Sequence, residues 1–212
     1  MIDTRWSVQT VAWNDPRYFF DLMHSLEQQV GTQAHALLIE HARQGVLSSQ
    51  EMDSRHCTIL RNASDKGFGL SHEQAMRFVV SHWPPEELHQ RYLAVVHPDV
   101  LFEPHCLFQV ECWFATHPDV SLVLPRALSA RLDFSETGEQ RSVVFGEALD
   151  TQEPACVFIR ASSALELPWN KATDVSTLIR RYQPSVCSEA MIWHHTHPLS
   201  DSPFFAKVRG LW

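Results

Sequence analysis

Short apolar runs alternate with amphipathic stretches along this chain. Residues 6–13 form an extended, apolar-rich run, Ser7-Val8-Gln9-Thr10-Val11-Ala12 between two tryptophans, that stops at Asn14-Asp15-Pro16. That tripeptide is a turn and helix-start signal. Beyond it Tyr18, Phe19, Leu22, Met23 and Leu26 recur at helical spacing. Ala36-Leu37-Leu38-Ile39 then reads as a short buried strand closed by Glu40. Strand, helix and strand in this order favour a parallel pair joined by a right-handed crossover.

The alternation continues. Cys57-Thr58-Ile59-Leu60 reads as a third strand after a polar stretch at 45–54. Residues 71–81 read as a helix with Ala75, Phe78 and Val79 on one face, ended by Trp83-Pro84-Pro85. Tyr92-Leu93-Ala94-Val95-Val96 is the strongest strand and runs into His97-Pro98-Asp99. A helix over 107–115 and a strand over 120–124 follow. Residues 129–140 are polar and read as a loop. Residues 155–159 read as a strand and 175–182 as a helix. From His194 to Pro203 the chain reads as a tail punctuated by Pro and Ser. No repeat or low-complexity linker interrupts the pattern. The expectation is one α/β domain over residues 1–212, with a mostly parallel, Rossmann-like sheet flanked by helices.

Composition narrows the function classes. Apolar residues make up 44% and charged residues 20% of the 212, ordinary values for a globular protein with a full core. No apolar run approaches the roughly 18–20 residues of a membrane span. No basic patch followed by an apolar stretch opens the chain. A cytoplasmic protein without a membrane span is expected. The net charge of -8 argues against nucleic acid as a partner, because phosphate neutralisation needs clustered Lys and Arg. Five cysteines without a Cys-x-x-Cys pair fit reduced thiols better than a zinc ribbon or a disulfide framework. Seven tryptophans leave room for a buried homo-oligomer interface.

In open parallel sheets ligands bind beyond the carboxyl ends of the strands. The polar residues there are Asn14 and Asp15, Glu40, residues 62–69, and His97 with Asp99. Several of these blocks, in order, resemble the family-two inverting glycosyltransferases of the GT-A fold, in particular their rhamnosyltransferase-like branch. Val11-Ala12-Trp13-Asn14 resembles the family's first strand and turn. Leu38-Ile39-Glu40-His41-Ala42 stands where the branch has Val-Val-Asp-Asn-Ala. Asp65-Lys66-Gly67-Phe68-Gly69 is similar to its Asn-x-Gly-Phe-Gly loop. The run from Tyr92 through Asp99-Val100 and Leu101-Phe102-Glu103-Pro104 resembles its strand ending in Asn-Pro-Asp-Val. His117-Pro118-Asp119-Val120, Val123-Leu124-Pro125-Arg126 and Ile159-Arg160-Ala161-Ser162 continue the likeness. It is specific over about 6–126, the nucleotide-binding half, and weaker over 127–197, within an abbreviated acceptor half.

The resemblance implies a set of roles. Asn14, Glu40, Asp65, Gly67, Phe68, Gly69, His97 and Asp99 would bind a nucleotide-diphosphate sugar, a dTDP- or UDP-sugar. Glu40 would accept a hydrogen bond from the base or ribose. Gly67 and Gly69 would let backbone approach the nucleotide, since glycine has no Cβ. Asp99 would be the last acid of the metal-binding motif, with His97 at the position of its first acid. The cofactor would be Mn2+ or Mg2+. Hard cations take carboxylate oxygens, and histidine suits manganese better than magnesium. A late histidine of the family lies near the metal, and within His194-His195-Thr196-His197 either His195 or His197 would match it, with the register open. Asp174 is the surviving acid of the family's Glu-Asp-x-Asp segment. It would be the base that takes the acceptor's proton, or alternatively a helix N-terminal acid. Leu167-Pro168-Trp169-Asn170 replaces the family's Gly-Gly-Phe-Asp segment. Arg160, Arg180 and Arg181 are candidates to face phosphate or acceptor, with surface charge the alternative.

The implied function is transfer of a sugar to a glycan, lipid-linked glycan or protein acceptor. The alternative, motivated by the eroded acidic segment, is a catalytically silent GT-A-like binding or scaffold module. A metal-dependent hydrolase built on the late histidines is the third reading, but no His-Glu-x-x-His spacing accompanies them.

Overall fold

The computed structural model describes residues 2–11, 16–41, 56–134, 140–148, 155–170 and 173–195. Within them the first four strands are β1 (Trp6–Val11), β2 (Ala34–His41), β3 (Cys57–Asn62) and β4 (Tyr92–Val96). They pair in parallel in the order β3-β2-β1-β4. β1 and β4 are buried along their whole length. That burial explains the unbroken apolar run of β4, because a parallel sheet is covered on both faces, whereas β1 buries the polar Ser7, Gln9 and Thr10 among its apolar residues.

The covering helices follow from the amphipathic stretches. The first is α1 (Pro16–Glu27), the crossover from β1 to β2. Its Phe19 and Leu22 join Trp6 and Val8 in one core cluster. So do Leu107, Val110 and Phe114 of α3 (Cys106–Thr116). On the other face Leu37, Ile39, Leu93 and Val95 meet Ala75, Met76 and Val79 of α2 (Phe68–Val80). Val175 and Leu178 of α5 (Val175–Tyr182), which follows the single turn α4 (Ala161–Ala164), belong to this second cluster.

Beyond β4 the sheet continues with β8 (Cys156–Arg160), β6 (Leu122–Phe134), β9 (Ser185–His195) and β5 (Val100–Phe102), while β7 (Gln140–Ala148) pairs with β6. The pairings make β1, β2, β3, β4, β6 and β9 run one way and β5, β7 and β8 the other. The expected α/β architecture with most strands in one direction is therefore the observed one.

Three expectations change. The polar residues 129–134 and Gln140 are not loop. They belong to the β6–β7 pair, which carries register shifts between Leu128 and Ala130 and between Asp133 and Phe134. The strand β9 runs on to His195, into what reads as a tail beginning at His194, so His194 and His195 belong to the sheet.

The third change is Arg160. It pairs with Tyr92, the first residue of β4, and so lies at the far end of the sheet from His97. Its guanidinium donates to the carbonyls of Phe114 at 3.0 Å, His89 at 3.0 Å, and Val120 and His117 at 3.3 Å. It also stands 4.8 Å over the Phe114 ring. Arg160 thus closes the carboxyl end of α3, where helix carbonyls lack intrahelical partners, and does not face the strand ends. Arg160→Ala is expected to cost about 2–3 kcal/mol of stability in denaturant unfolding, the scale of hydrogen bonds from a charged donor. Lysine is expected to restore less than half, having no planar fork.

Candidate functional site

The parallel strands deliver their carboxyl ends to one edge of the sheet, and β4 brings the densest chemistry there. His97-Pro98-Asp99 forms a tight turn, with the Val100 amide donating to the His97 carbonyl at 3.3 Å. Proline at the second position suits such a turn because its φ is already set. The turn reverses the chain from β4 into β5 and leaves His97 and Asp99 side by side. β5 pairs antiparallel with β9, and Val100 stands opposite His194. The register therefore places His194 next to Asp99.

The result is a cluster of His97, Asp99 and His194 whose ligand-type atoms all lie within 4.8 Å of one another. His194 Nε2 is 3.5 Å from Asp99 Oδ1, and the two imidazoles meet edge to face with centroids 6.0 Å apart. Asp99 Oδ1 is buried and makes no hydrogen bond among the described residues. Burial pulls His97 below its ordinary pKa, as does the charge of His194, while Asp99 and Asp174 pull it up; the net direction is down. His97 is then neutral at pH 7 and has a lone pair to offer.

These features fit a divalent cation. A carboxylate oxygen without a donor among the described residues and a neutral imidazole are ligand groups, and two nitrogens with one oxygen suit Mn2+ better than Mg2+. Asp99, His97 and His194 would hold the ion. Among the described side chains the histidine brought to Asp99 is His194; the expected His195 follows it in β9. His197 and Asn14 lie outside the described residues.

A second shelf of residues borders the cluster. Gly67, with φ of 80°, makes the turn into α2, a backbone shape that favours glycine. Asp65 Oδ1 accepts from the Gly67 amide at 2.7 Å and stands 3.7 Å from His41 Nε2. Asp65 therefore shapes the loop. The Phe68 ring lies edge-on to His97 at 6.0 Å and against His72 at 4.3 Å. His72 is fully buried, and neither ring nitrogen has a hydrogen-bond partner among the described residues. The sequence carried a signal for it: His72, Ala75, Met76 and Val79 repeat at the spacing of a sheet-facing helix stripe. Gly69 packs against the chain rather than opening onto the loop surface: a Cβ there would meet the Asn170 carbonyl.

Glu40 sits at the end of β2 with 2% exposure. Its carboxylate receives Arg61 Nε at 3.0 Å, the cross-strand partner of Glu40 in the register of β2 and β3.

Asp174 lies just before α5 and caps it. Its Oδ1 accepts from the Thr177 amide at 2.6 Å. Partial burial pushes its pKa up, but the Thr177 hydrogen bonds and the Arg180 charge outweigh that, and the net direction is down. Two roles can be separated here, because Asn caps a helix as well as Asp. Asp174→Asn is expected to leave unfolding stability within ~0.5 kcal/mol, and Asp174→Ala to cost about 1 kcal/mol. If Asp174 is the base, Asp174→Asn nevertheless lowers transfer by about 100-fold or more.

No protein-family model and no curated protein matches the sequence. Solved structures do match the fold. TarS of S. aureus superposes with a TM-score of 0.61 at 12% identity, over 97% of this chain and 38% of that one. GalNAc-T7, solved with UDP, GalNAc and Mn2+, gives 0.60 at 10% identity over 96% and 47%. The mannosyltransferase PcManGT of Pyrobaculum calidifontis, solved with GDP-Man and Mn2+, gives 0.59 at 9% identity over 96% and 59%. This chain has a GT-A-like fold. It spans about two fifths to three fifths of the length of these three proteins. No helix among the described residues is long and apolar enough to cross a membrane.

Proposed function

We propose that this chain is a metal-dependent glycosyltransferase that binds a nucleotide-diphosphate sugar at the carboxyl edge of its parallel strands. The observation that carries the reading is the cluster of His97, Asp99 and His194 at the end of β4 in a GT-A-like fold. When bound there, a divalent cation supplies positive charge against the diphosphate leaving group. Asp99 contributes the one formal negative charge of the set, and the two histidines orient it. Glu40, held by Arg61, serves the base or ribose from the end of the neighbouring strand, and Gly67 with Phe68 borders the diphosphate.

Transfer with inversion is one displacement. The acceptor hydroxyl oxygen bonds to the anomeric carbon, the bond from that carbon to the diphosphate oxygen breaks, and the acceptor's proton goes to a carboxylate. Asp174, like Asp99, is an acid whose charge reaches His97; with Asp99 given to the cation, Asp174 takes that proton. The donor is a dTDP- or UDP-sugar, rhamnose by the resemblance, and the acceptor is a glycan, a lipid-linked glycan or a protein.

A silent nucleotide-sugar-binding module is the second reading. It is favoured by the engagement of the Asp174 carboxylate in the cap of α5, which lowers its basicity.

Calorimetric titration with UDP, dTDP and GDP in Mn2+, and then with chelator, tests the donor site. One nucleotide is expected to bind, and to be lost on chelation. No binding of any of the three would overturn the reading and leave the likeness as one of fold. Binding without turnover on any acceptor would select the silent module.

A further inference from the structure

Sequence alone casts the Gly67-Phe68-Gly69 turn as a place where nucleotide meets bare backbone. The structure gives its second glycine another task. Gly69 is buried in the first turn of α2. A Cβ on it would stand 2.1 Å from the Asn170 carbonyl oxygen, and 2.8 Å from both the Thr173 carbonyl oxygen and Thr173 Cβ. Two of these atoms are backbone, so room is made only by moving the chain. The first turn of α2 and the stretch carrying Asn170 and Thr173 touch at a distance that glycine alone permits.

That stretch is closed on itself. The Thr173 amide donates to the Asn170 carbonyl at 3.0 Å. The Asn170 amide donates to Thr173 Oγ1 at 3.0 Å, and Thr173 Oγ1 donates to the Pro168 carbonyl at 3.0 Å. Thr173 is 1% exposed. The next residue is Asp174, extended at φ -126° and ψ 178°, with its carboxylate on the Thr177 amide. One helix turn therefore makes two contacts. Phe68 meets His97, and Gly69 meets the segment that delivers Asp174.

We infer that Gly69 is a positioning residue for Asp174, and that its contact with the Asn170 and Thr173 backbone sets the spacing between that acid and the His97–Asp99–His194 cluster. The consequence for transfer rests on the function proposed above. The seat itself does not.

The test uses Gly69→Ala and Asp174→Asn, singly and together, in the full chain. Three quantities are read: amide hydrogen exchange at Thr173 and Thr177, Mn2+ affinity, and transfer kinetics. In Gly69→Ala, exchange at both amides is expected to rise about tenfold or more through local opening, with Mn2+ affinity within about twofold of the wild type. The kcat is expected to fall by about 100-fold with donor KM little changed, the scale of a small misplacement of a reacting group. In the Asp174→Asn background Gly69→Ala is expected to add nothing, because both changes act through one carboxylate.

Unchanged protection at Thr173 and Thr177 would overturn the seat, and a multiplicative loss in the double variant would overturn the route through Asp174. A wild type without transfer removes the proposed function only, and the exchange and Mn2+ measurements then decide the seat. Where Gly69→Ala does not fold, Thr173→Val loosens the same stretch from its own side, by removing the Oγ1 bonds to Pro168 and Asn170. Faster exchange at Thr177, with no further loss in the Asp174→Asn background, is the result expected of it, and unchanged exchange overturns the seat.

Discussion

Acidification from pH 7.5 to 5 is expected to remove several kcal/mol of folding stability, and two buried histidines are the reason. His35 in β2 is 7% exposed and shares a 2.8 Å hydrogen bond with Thr58 Oγ1. Burial, with the charge of His56 behind it, pushes its pKa down to about 4. His72 is wholly buried, and burial, helped by His97, pushes it down to about 3. Above pH 6.5 neither folded nor unfolded chain protonates these rings, and they contribute no pH dependence. Below 6.5 the unfolded chain takes up both protons while the folded chain refuses them. Stability therefore falls as the pH drops, through a window that closes near 4 for His35 and near 3 for His72. Two protons give a limiting slope of ~2.7 kcal/mol per pH unit. By pH 4.5 the loss approaches ~5 kcal/mol, comparable with the whole stability of an ordinary domain. Urea unfolding at pH 7.5, 6 and 5 measures it. His72→Leu is expected to halve the slope and, by removing a buried group without a hydrogen-bond partner among the described residues, to stabilise the protein at low pH. A midpoint that does not move between pH 7.5 and 5 would refute the account.

β4 was legible because burial on both faces leaves an unbroken apolar run. Tyr92-Leu93-Ala94-Val95-Val96 is such a run, and β4 spans those five residues. The helix over 175–182 was equally legible, since Asp174 is both its sequence start signal and its observed cap. β9 hid for a physical reason. Its register against β6 jumps from Pro125 opposite Cys187 to Arg126 opposite Met191. The residues between, Ser188-Glu189-Ala190, break the period of two that marks a strand. The β6–β7 pair hid behind polar residues: β7 pairs only with β6 among the described strands, and a strand at a sheet margin need not be apolar. At the site, Asp99 and His97 could be read from the end of one strand. His194 could not be separated from its neighbours, because the choice is made by the pairing of β9 with β5, a contact about ninety residues distant in sequence. The role of Gly69 was hidden likewise, since its partners Asn170 and Thr173 lie on another segment.

Removing any one of His97, Asp99 or His194 is expected to lower Mn2+ affinity by about 100-fold or more, beyond what loss of a merely supporting partner costs. His194 is the histidine beside Asp99. Asp99→Ala carries a second expectation, in the opposite direction. Asp99 Oδ1 is buried and accepts no hydrogen bond among the described residues, and an unsatisfied buried acceptor costs about 1–3 kcal/mol. Metal-free Asp99→Ala should therefore unfold at the same or a higher denaturant concentration than metal-free wild type. A residue whose loss abolishes binding and spares stability is kept for its ligand. Mn2+ titration followed by electron paramagnetic resonance, beside urea unfolding of the same variants in chelator, reads both effects. Wild-type Mn2+ affinity in all three variants would remove the metal from the site. A large stability loss in Asp99→Ala would make its pairing with His194 a structural one, holding β5 and the adjoining turn to β9. In that case the silent binding module becomes the better reading of the fold.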